Sequence, residues 1–326
     1  IRIGARAGFK LWAPTARSVA LCIYSGTQTR QASVHPMQRF AAGGVWQTTL
    51  QDLPADAYYT YLVDVVVRGS GVMRNRVTDP YSISLDADSQ RSWVGRLDHE
   101  RATPKQWPLD RTPTRVAHAT DMVIYELHVR DFSINDPSVP EALRGKYAAF
   151  AVNESHGMGH LRALAAAGLT DVHLLPVFDL ASVPETGCVT PAPAGAPDGE
   201  TQQAAVNAVR ERDCFNWGYD PWHYTAPEGS YASDANDAAL RLREFRAMVL
   251  ALHQAGLRVG MDVVYNHTSA SGQNPKSVLD RIVPGYYHRL DANGEVERST
   301  CCDNTATEHR MMAKLMIDSV VTWARD

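Results

Sequence analysis

Residues 256–272, GLRVGMDVVYNHTSASG, set one carboxylate, Asp262, inside an apolar run and release it into Asn266, His267 and a Ser/Gly-rich loop. An acid and an imidazole at a strand exit suit acid–base work as a catalytic pair. In strand–helix barrels, active residues gather at the C-terminal ends of strands, and the run places Asp262 near such an end. On a period of two, Asp262, Val264 and Asn266 share one face and His267 falls on the other. His267 then joins Asp262 only if the chain leaves strand geometry around Tyr265. The alternative is an Asp buried against a structural Arg and a His satisfied by backbone.

A second constellation is aromatic. Trp217, Tyr219, Trp222, Tyr224 and Tyr231 crowd the stretch NWGYDPWHYTAPEGSYA. Aromatic faces stack on the C–H faces of sugar rings, and a Tyr hydroxyl can bond sugar hydroxyls. The alternative is a hydrophobic plug that packs a long loop. Glu126, His128, Arg130, Asp131 and Asp179 also sit near strand ends, where a charge-paired network competes with a catalytic role. No G-x-S-x-G is present, so a serine nucleophile has no support.

The elements that must position these residues change character along the chain. Residues 1–97 carry short β-rich runs (FKLWAP, VALCIYS, VWQTTL, YYTYLVDVVV) broken by turn residues, which predicts a β-sandwich. Residues 98–120, rich in proline and charge, read as a linker. From 121 onward, three strand–helix units follow: DMVIYELHV with SHGMGHLRALAAAG, TDVHLLPVF with 236–255, and LRVGMDVVY with a helix opening at the capping-box pattern Thr305-x-x-Glu308. Gly168 and Gly256 read as helix stops. Strands apolar on both parities suit a parallel sheet covered on both sides, in a doubly wound sheet or a (β/α)8 barrel. No G-x-G-x-x-G or Walker pattern supports nucleotide binding. A loop of nearly sixty residues, 178–235, separates the second strand from its helix, and its PETGCVTPAPAGAPDGE portion is expected to be mobile.

Composition narrows the classes. The chain has 326 residues, 44% apolar, with a net charge of −4, which suits a sizeable core and gives no field for nucleic acid. No run is long enough for a membrane span. Of five cysteines none forms C-x-x-C, and no zinc set is completed. Cys22 and Cys188 read as buried thiols. Cys301 and Cys302 are adjacent, which allows a strained vicinal disulfide, although that spacing fits disulfide geometry poorly.

IYELHVRDFS (124–133), NWGYDPWHYTAPEGSYA (216–232) and MDVVYNHT (261–268), in this order, resemble type I pullulanase or limit dextrinase of the alpha-amylase superfamily of glycoside hydrolases. SVLDRIVPGYYHRL (277–290) and TATEHRMMAKLMIDSVVTWARD (305–326) continue the likeness. KLWAPTARSVAL (10–21) and GVWQ (44–47) resemble the family-48 carbohydrate-binding module. The resemblance implies an N-terminal β-sandwich followed, over 121–326, by the first three βα units of a (β/α)8 TIM barrel. It implies retaining hydrolysis of α-1,6-glucosidic linkages in branched α-glucans such as pullulan and starch or glycogen limit dextrins, which uses two carboxyl groups about 5–5.5 Å apart. It assigns His267, Trp217 and Tyr219 to substrate contact, and Asp262 with Asn266 to support of that subsite. The family's nucleophilic Asp, the Arg two residues before it and the general acid belong to later strands. Nothing like G-F-R-F-D occurs here, so these residues hold no catalytic pair, and the chain is expected to be a fragment that is inactive alone. Asp262, without that arginine, is expected to shift its titration or to meet water. No cofactor or metal ligand is assigned, with calcium left open. An extracytoplasmic setting is compatible with the resemblance. Isoamylase and branching enzymes share the layout. A non-catalytic α-glucan-binding protein is the other-class reading, and Trp12 and Trp46 as plain sandwich core the structural one.

Overall fold

The computed structural model describes residues 6–40, 43–54, 56–113, 116–196, 198–299 and 301–326. Contacts gather the chain into two compact units that cut across sequence order. The first joins the described residues up to His99 with Asp220–Ala226 and Val264–Asp326; the second joins Glu100–Tyr219 with Pro227–Val263.

The first unit contains the expected sandwich. One sheet has strand order β1 (Arg6–Trp12), β5 (Val45–Gln51), β4 (Gln38–Arg39), antiparallel throughout. The other runs β3 (Ser33–Pro36), β2 (Ser18–Tyr24), β6 (Tyr58–Val67), β7 (Gly71–Val77), with β8 (Ser92–Trp93) on β6. Alternation does what the period of two requires. Phe9 and Leu11 of β1, Leu21 and Ile23 of β2, and Tyr59, Tyr61, Val63 and Val65 of β6 are buried in one core. The hydroxyls of Tyr59 and Tyr61 both donate to Asp79 (2.8 and 3.1 Å), which satisfies the only polar atoms those rings bring inside. Trp46 is buried with its indole N–H on the Ala13 carbonyl (3.0 Å), and Trp12 packs edge-on against Tyr286. Trp46 is core, as the structural reading had it, whereas Trp12 is half-buried and packs against that core. Met312 and Leu315, from the helix Arg310–Arg325, join the same cluster.

That helix does not start at the expected capping box. It opens at Arg310 with His309 as N-cap. The Thr305 hydroxyl donates instead to the Tyr265 carbonyl (2.6 Å), and Glu308 pairs with Arg289 (2.7 Å), so both side chains are committed elsewhere.

The second unit holds three parallel strands, Ile124–Leu127, Asp171–Leu174 and Arg258–Met261, with the middle one central. They are about half the length that the apolar runs predict. Two-sided burial is met only by the central strand, where Asp171, Val172 and Leu174 are buried. Among the described residues the outer strands each lack a neighbour on one side, and Val123, Ile124 and Tyr125 are exposed. The intervening helices are close to expectation. His156–Ala166 is capped by the Ser155 hydroxyl accepting from the Met158 N–H, and Ala238–Gln254 by Asp237 accepting from Ala239 and Leu240. Gly168 and Gly256 follow them with φ of 110° and 86°, the left-handed conformation that ends a helix and favours glycine. Residues 100–113, read as linker, are strapped to the second helix. Arg246 donates to the Ala102 carbonyl (3.0 Å), and His253 meets Asp110 (2.6 Å).

The long loop is better built than expected. Cys188 is not a free thiol; it is bonded to Cys214. A parallel bridge, Val189 with Asp213, continues the link, and a helix, Thr201–Val209, lies between. Cys301 and Cys302 are also bonded, although adjacency fixes their Cα atoms only 3.8 Å apart. Cys22 alone is free and buried, and burial pushes its thiol up.

Candidate functional site

The three parallel strands end in register. Leu127, Leu174 and Met261 are matched across the sheet, and the Asp262 N–H donates to the Leu174 carbonyl (2.9 Å). Asp262 is therefore the first residue past its strand, not a residue inside it. It is exposed, so the buried acid predicted from the apolar run is not there. Its carboxylate accepts a hydrogen bond from the Tyr219 hydroxyl (2.6 Å). That bond, then partial burial, pushes the phenol up to about 12, because losing its proton would set two anions face to face.

The chain geometry around Tyr219 explains why Asn-Trp-Gly-Tyr delivers the ring to this point. Asn216 is clamped on both sides. Its carbonyl meets His128 Nε2 (2.8 Å), its side-chain oxygen accepts from the Gly218 N–H (2.7 Å), and its amide donates to Ser182 (2.7 Å). Gly218 has φ of 98°, and a Cβ there would lie 2.8 Å from the Pro176 carbonyl oxygen. Only glycine takes that turn without moving the backbone. Trp217, between two fixed residues, is 64% exposed, whereas the Tyr219 ring is 40% exposed and tied at its tip. The signal that could have found this turn was the Asn-x-Gly spacing. The partnership with Asp262, 43 residues away, had none.

His128, at the end of the first strand, is a positioning residue. Beyond Asn216, it accepts from the Asp131 N–H (3.3 Å) and lies 3.3 Å from the Tyr231 hydroxyl. Glu126 is exposed on its strand, and Asp131 pairs with Arg130 (2.9 Å).

PEGSYA has a structural role that sequence reading missed. Glu228 is fully buried and accepts from the Leu180 N–H and the Ser230 N–H (both 2.7 Å). Arg241, also fully buried, lies 2.7 Å from Glu185 and 3.9 Å from Asp179. Oxygens of Asp179, Glu185 and Glu228 lie within 4.8 Å of one another, the spacing of a hard-cation site. The Arg241 guanidinium already supplies the countercharge, so the group reads as an ion-pair network. Burial, then Asp179, pushes the Glu228 carboxyl up to about 7.

Asn266 and His267 belong to the first unit. The Asn266 carbonyl accepts from the Thr305 N–H (3.0 Å), and Asn266 is exposed. His267 and Thr268 pair antiparallel with Asp303 and Asn304, and the His267 carbonyl accepts from the Tyr224 hydroxyl (3.0 Å). Strand geometry is lost between Asp262 and His267, and the two residues fall in different units. The His267 ring is buried, and one of its nitrogens lies within 4.8 Å of the Cys301 and Cys302 sulfurs.

Residues 4–82 match the carbohydrate-binding module 48 (isoamylase N-terminal domain). The chain is 40% identical over 363 aligned residues to a pullulanase of Klebsiella aerogenes, covering 98% of this chain and 33% of that protein. It is 41% identical to the chloroplastic pullulanase 1 of Arabidopsis thaliana, covering 96% of this chain and again 33% of the relative. Its backbone superposes on a Klebsiella pneumoniae pullulanase complexed with maltotriose with a TM-score of 0.89 at 38% identity, over 98% of this chain and 35% of that one. The chain thus spans about a third of the length of these relatives.

Proposed function

For a chain related to the pullulanases along nearly its whole length, we propose a part in a debranching hydrolase that cleaves α-1,6-glucosidic linkages of branched α-glucans with retention. The observation that carries this reading is the Tyr219–Asp262 bond at the C-terminal edge of the parallel strands, beside exposed Trp217. An edge of this kind is where a strand–helix barrel keeps its active groups. In this reading residues 1–97 are the sandwich module, 98–120 the linker, and 121–326 the first three βα units of a (β/α)8 barrel, with the 178–235 loop carrying glycan contacts. Strand, helix, strand, helix, strand in sequence, with a parallel sheet in register, supports it.

The roles follow from the chemistry. Tyr219 is the stacking platform, because its ring is held before ligand arrives and little ordering cost remains. Asp262 holds that ring and leaves its other lone pairs for sugar hydroxyls. Trp217 widens the apolar contact; His267 as a substrate contact and Asn266 as its support rest on the family likeness alone. These 326 residues contain no counterpart of the G-F-R-F-D strand, so they supply glycan contacts and no nucleophile. Incubation with pullulan should release no maltotriose above a blank; turnover by this chain would overturn that assignment.

A second reading, α-glucan binding by the front module, has the family-48 match in its favour. Electrophoresis in gels containing pullulan or amylopectin separates the two. Retardation that survives Tyr219→Ala points to the module, and retardation lost with it points to the strand edge.

A further inference from the structure

The first unit contains a polar hollow that the glycan-contact reading does not use. Its volume is about 280 Å³, and its wall includes Arg76, Thr78, Trp222, Lys276, Ser277 and Arg281. Arg76 comes from β7 and Thr78 directly follows it, Trp222 comes from the aromatic stretch, Lys276 and Ser277 from the chain entering the short helix Leu279–Ile282, and Arg281 from that helix. Three cationic side chains line this one hollow, and no carboxylate does. Cations gathered in one hollow with no acid among its lining residues favour an anion there. The Lys276 ammonium lies 5.6 Å from the centre of the Trp222 ring.

The wall is also rich in unmet donors. The Trp222 indole nitrogen, the Ser277 hydroxyl and the Arg281 Nε are buried with no hydrogen-bond partner among the described residues. The indole and guanidinium nitrogens can only donate, and they are shut off from solvent in this arrangement, so an acceptor in the hollow reaches them only after a side-chain shift. Burial draws the Arg281 guanidinium below its ordinary range, and no neighbouring acid offsets it. The volume sits at the lower edge of small-molecule pockets, which span about 300–1,000 Å³. It suits one sugar ring, not an oligosaccharide.

We propose that this hollow binds the phosphate monoester of a single hexose unit, with the phosphate among Arg76, Lys276 and Arg281 and the sugar against Trp222. Guanidinium forks and an ammonium are the groups that recognise phosphate, and a half-buried indole is a platform for a sugar face. Neither Tyr219 nor Asp262 lines the hollow, and the proposal does not depend on the hydrolytic reading.

Calorimetry on the whole 326-residue chain tests it, with glucose 6-phosphate, inorganic phosphate and glucose as separate titrants at low salt. Glucose 6-phosphate should bind with Kd below about 1 mM, phosphate more weakly and glucose not measurably. Added salt should weaken binding, since the attraction is largely charge. Arg76 and Lys276 are exposed, so the double variant R76Q/K276Q should keep its circular dichroism and lose about tenfold or more in affinity. Trp222→Ala should remove the preference for the sugar phosphate over phosphate. A maltodextrin bearing a terminal 6-phosphate that competes would assign the pocket to chain-borne phosphate; failure to compete would assign it to the free sugar phosphate. No heat with glucose 6-phosphate, equal binding of glucose, or full affinity in the folded double variant would each overturn the proposal.

Discussion

At the scale of single residues, the candidate site rests on small groups that hold larger ones. Tyr219→Phe keeps the ring and removes the bond to Asp262. The expected cost is about 1 kcal/mol in glycan affinity, roughly fivefold, with the melting temperature unchanged, because the lost bond is solvent-facing. Trp217→Ala should cost less than Tyr219→Ala in the same gel-retardation series; the reverse order would make Trp217 the platform. Gly229 is another such group. A Cβ there would collide with the Glu185 carboxylate and the Arg241 guanidinium. Gly229→Ala should therefore destabilise by about 2–3 kcal/mol, read from urea unfolding. Glu228 adds a pH dependence. Its carboxyl is raised from an ordinary 4.5 to about 7 among Asp179, Glu185, Lys146 and Arg241. The folded chain then keeps a proton that the unfolded chain releases between those values. That contribution is whole at the acid end and is lost as pH rises from about 4.5 to about 7. Glu228→Gln should flatten this portion of the melting-temperature curve, and an unchanged slope would contradict the assignment.

At the scale of elements, what was legible in the sequence was what depends on neighbours along the chain. Helix ends at Gly168 and Gly256, the sandwich alternation and the in-series strand–helix order are local patterns, and the structure keeps them. Strand length was not legible, because an apolar run continues past the last ladder bond. Val263 and Val264 read like strand yet lie beyond Met261, and that shift moved Asp262 from an imagined interior to an exposed edge. The capping box at Thr305 failed for a related reason: Tyr265 and Arg289, distant in sequence, take both of its side chains. The disulfides were equally out of reach, since Cys188 and Cys214 carry no spacing signature. Titration of the unfolded, unreduced chain should find one thiol among five cysteines, Cys22. Three or more would mean that a bridge is missing.

At the scale of the whole molecule, chain order and compact unit do not coincide, since Val264–Asp326 gathers with the sandwich strands rather than with the parallel strands that precede it. Apolar side chains remain uncovered in both units: Ile124, Tyr125 and Val263 in one, and Ile317, Val320 and Val321 on the helix Arg310–Arg325 in the other. Surface of this kind promotes self-association. Light scattering of the chain should rise with concentration, and Ile317→Lys with Val321→Glu should lower it. The Cys188–Cys214 bridge spans 26 positions of sequence and encloses the helix Thr201–Val209. A protease that nicks the chain anywhere between those two cysteines leaves both fragments covalently joined. Such a nicked molecule would migrate as one species until a reductant is added, and then as two. Backbone continuity through the longest loop is thus dispensable for keeping Trp217 and Tyr219 attached to the strands that precede it.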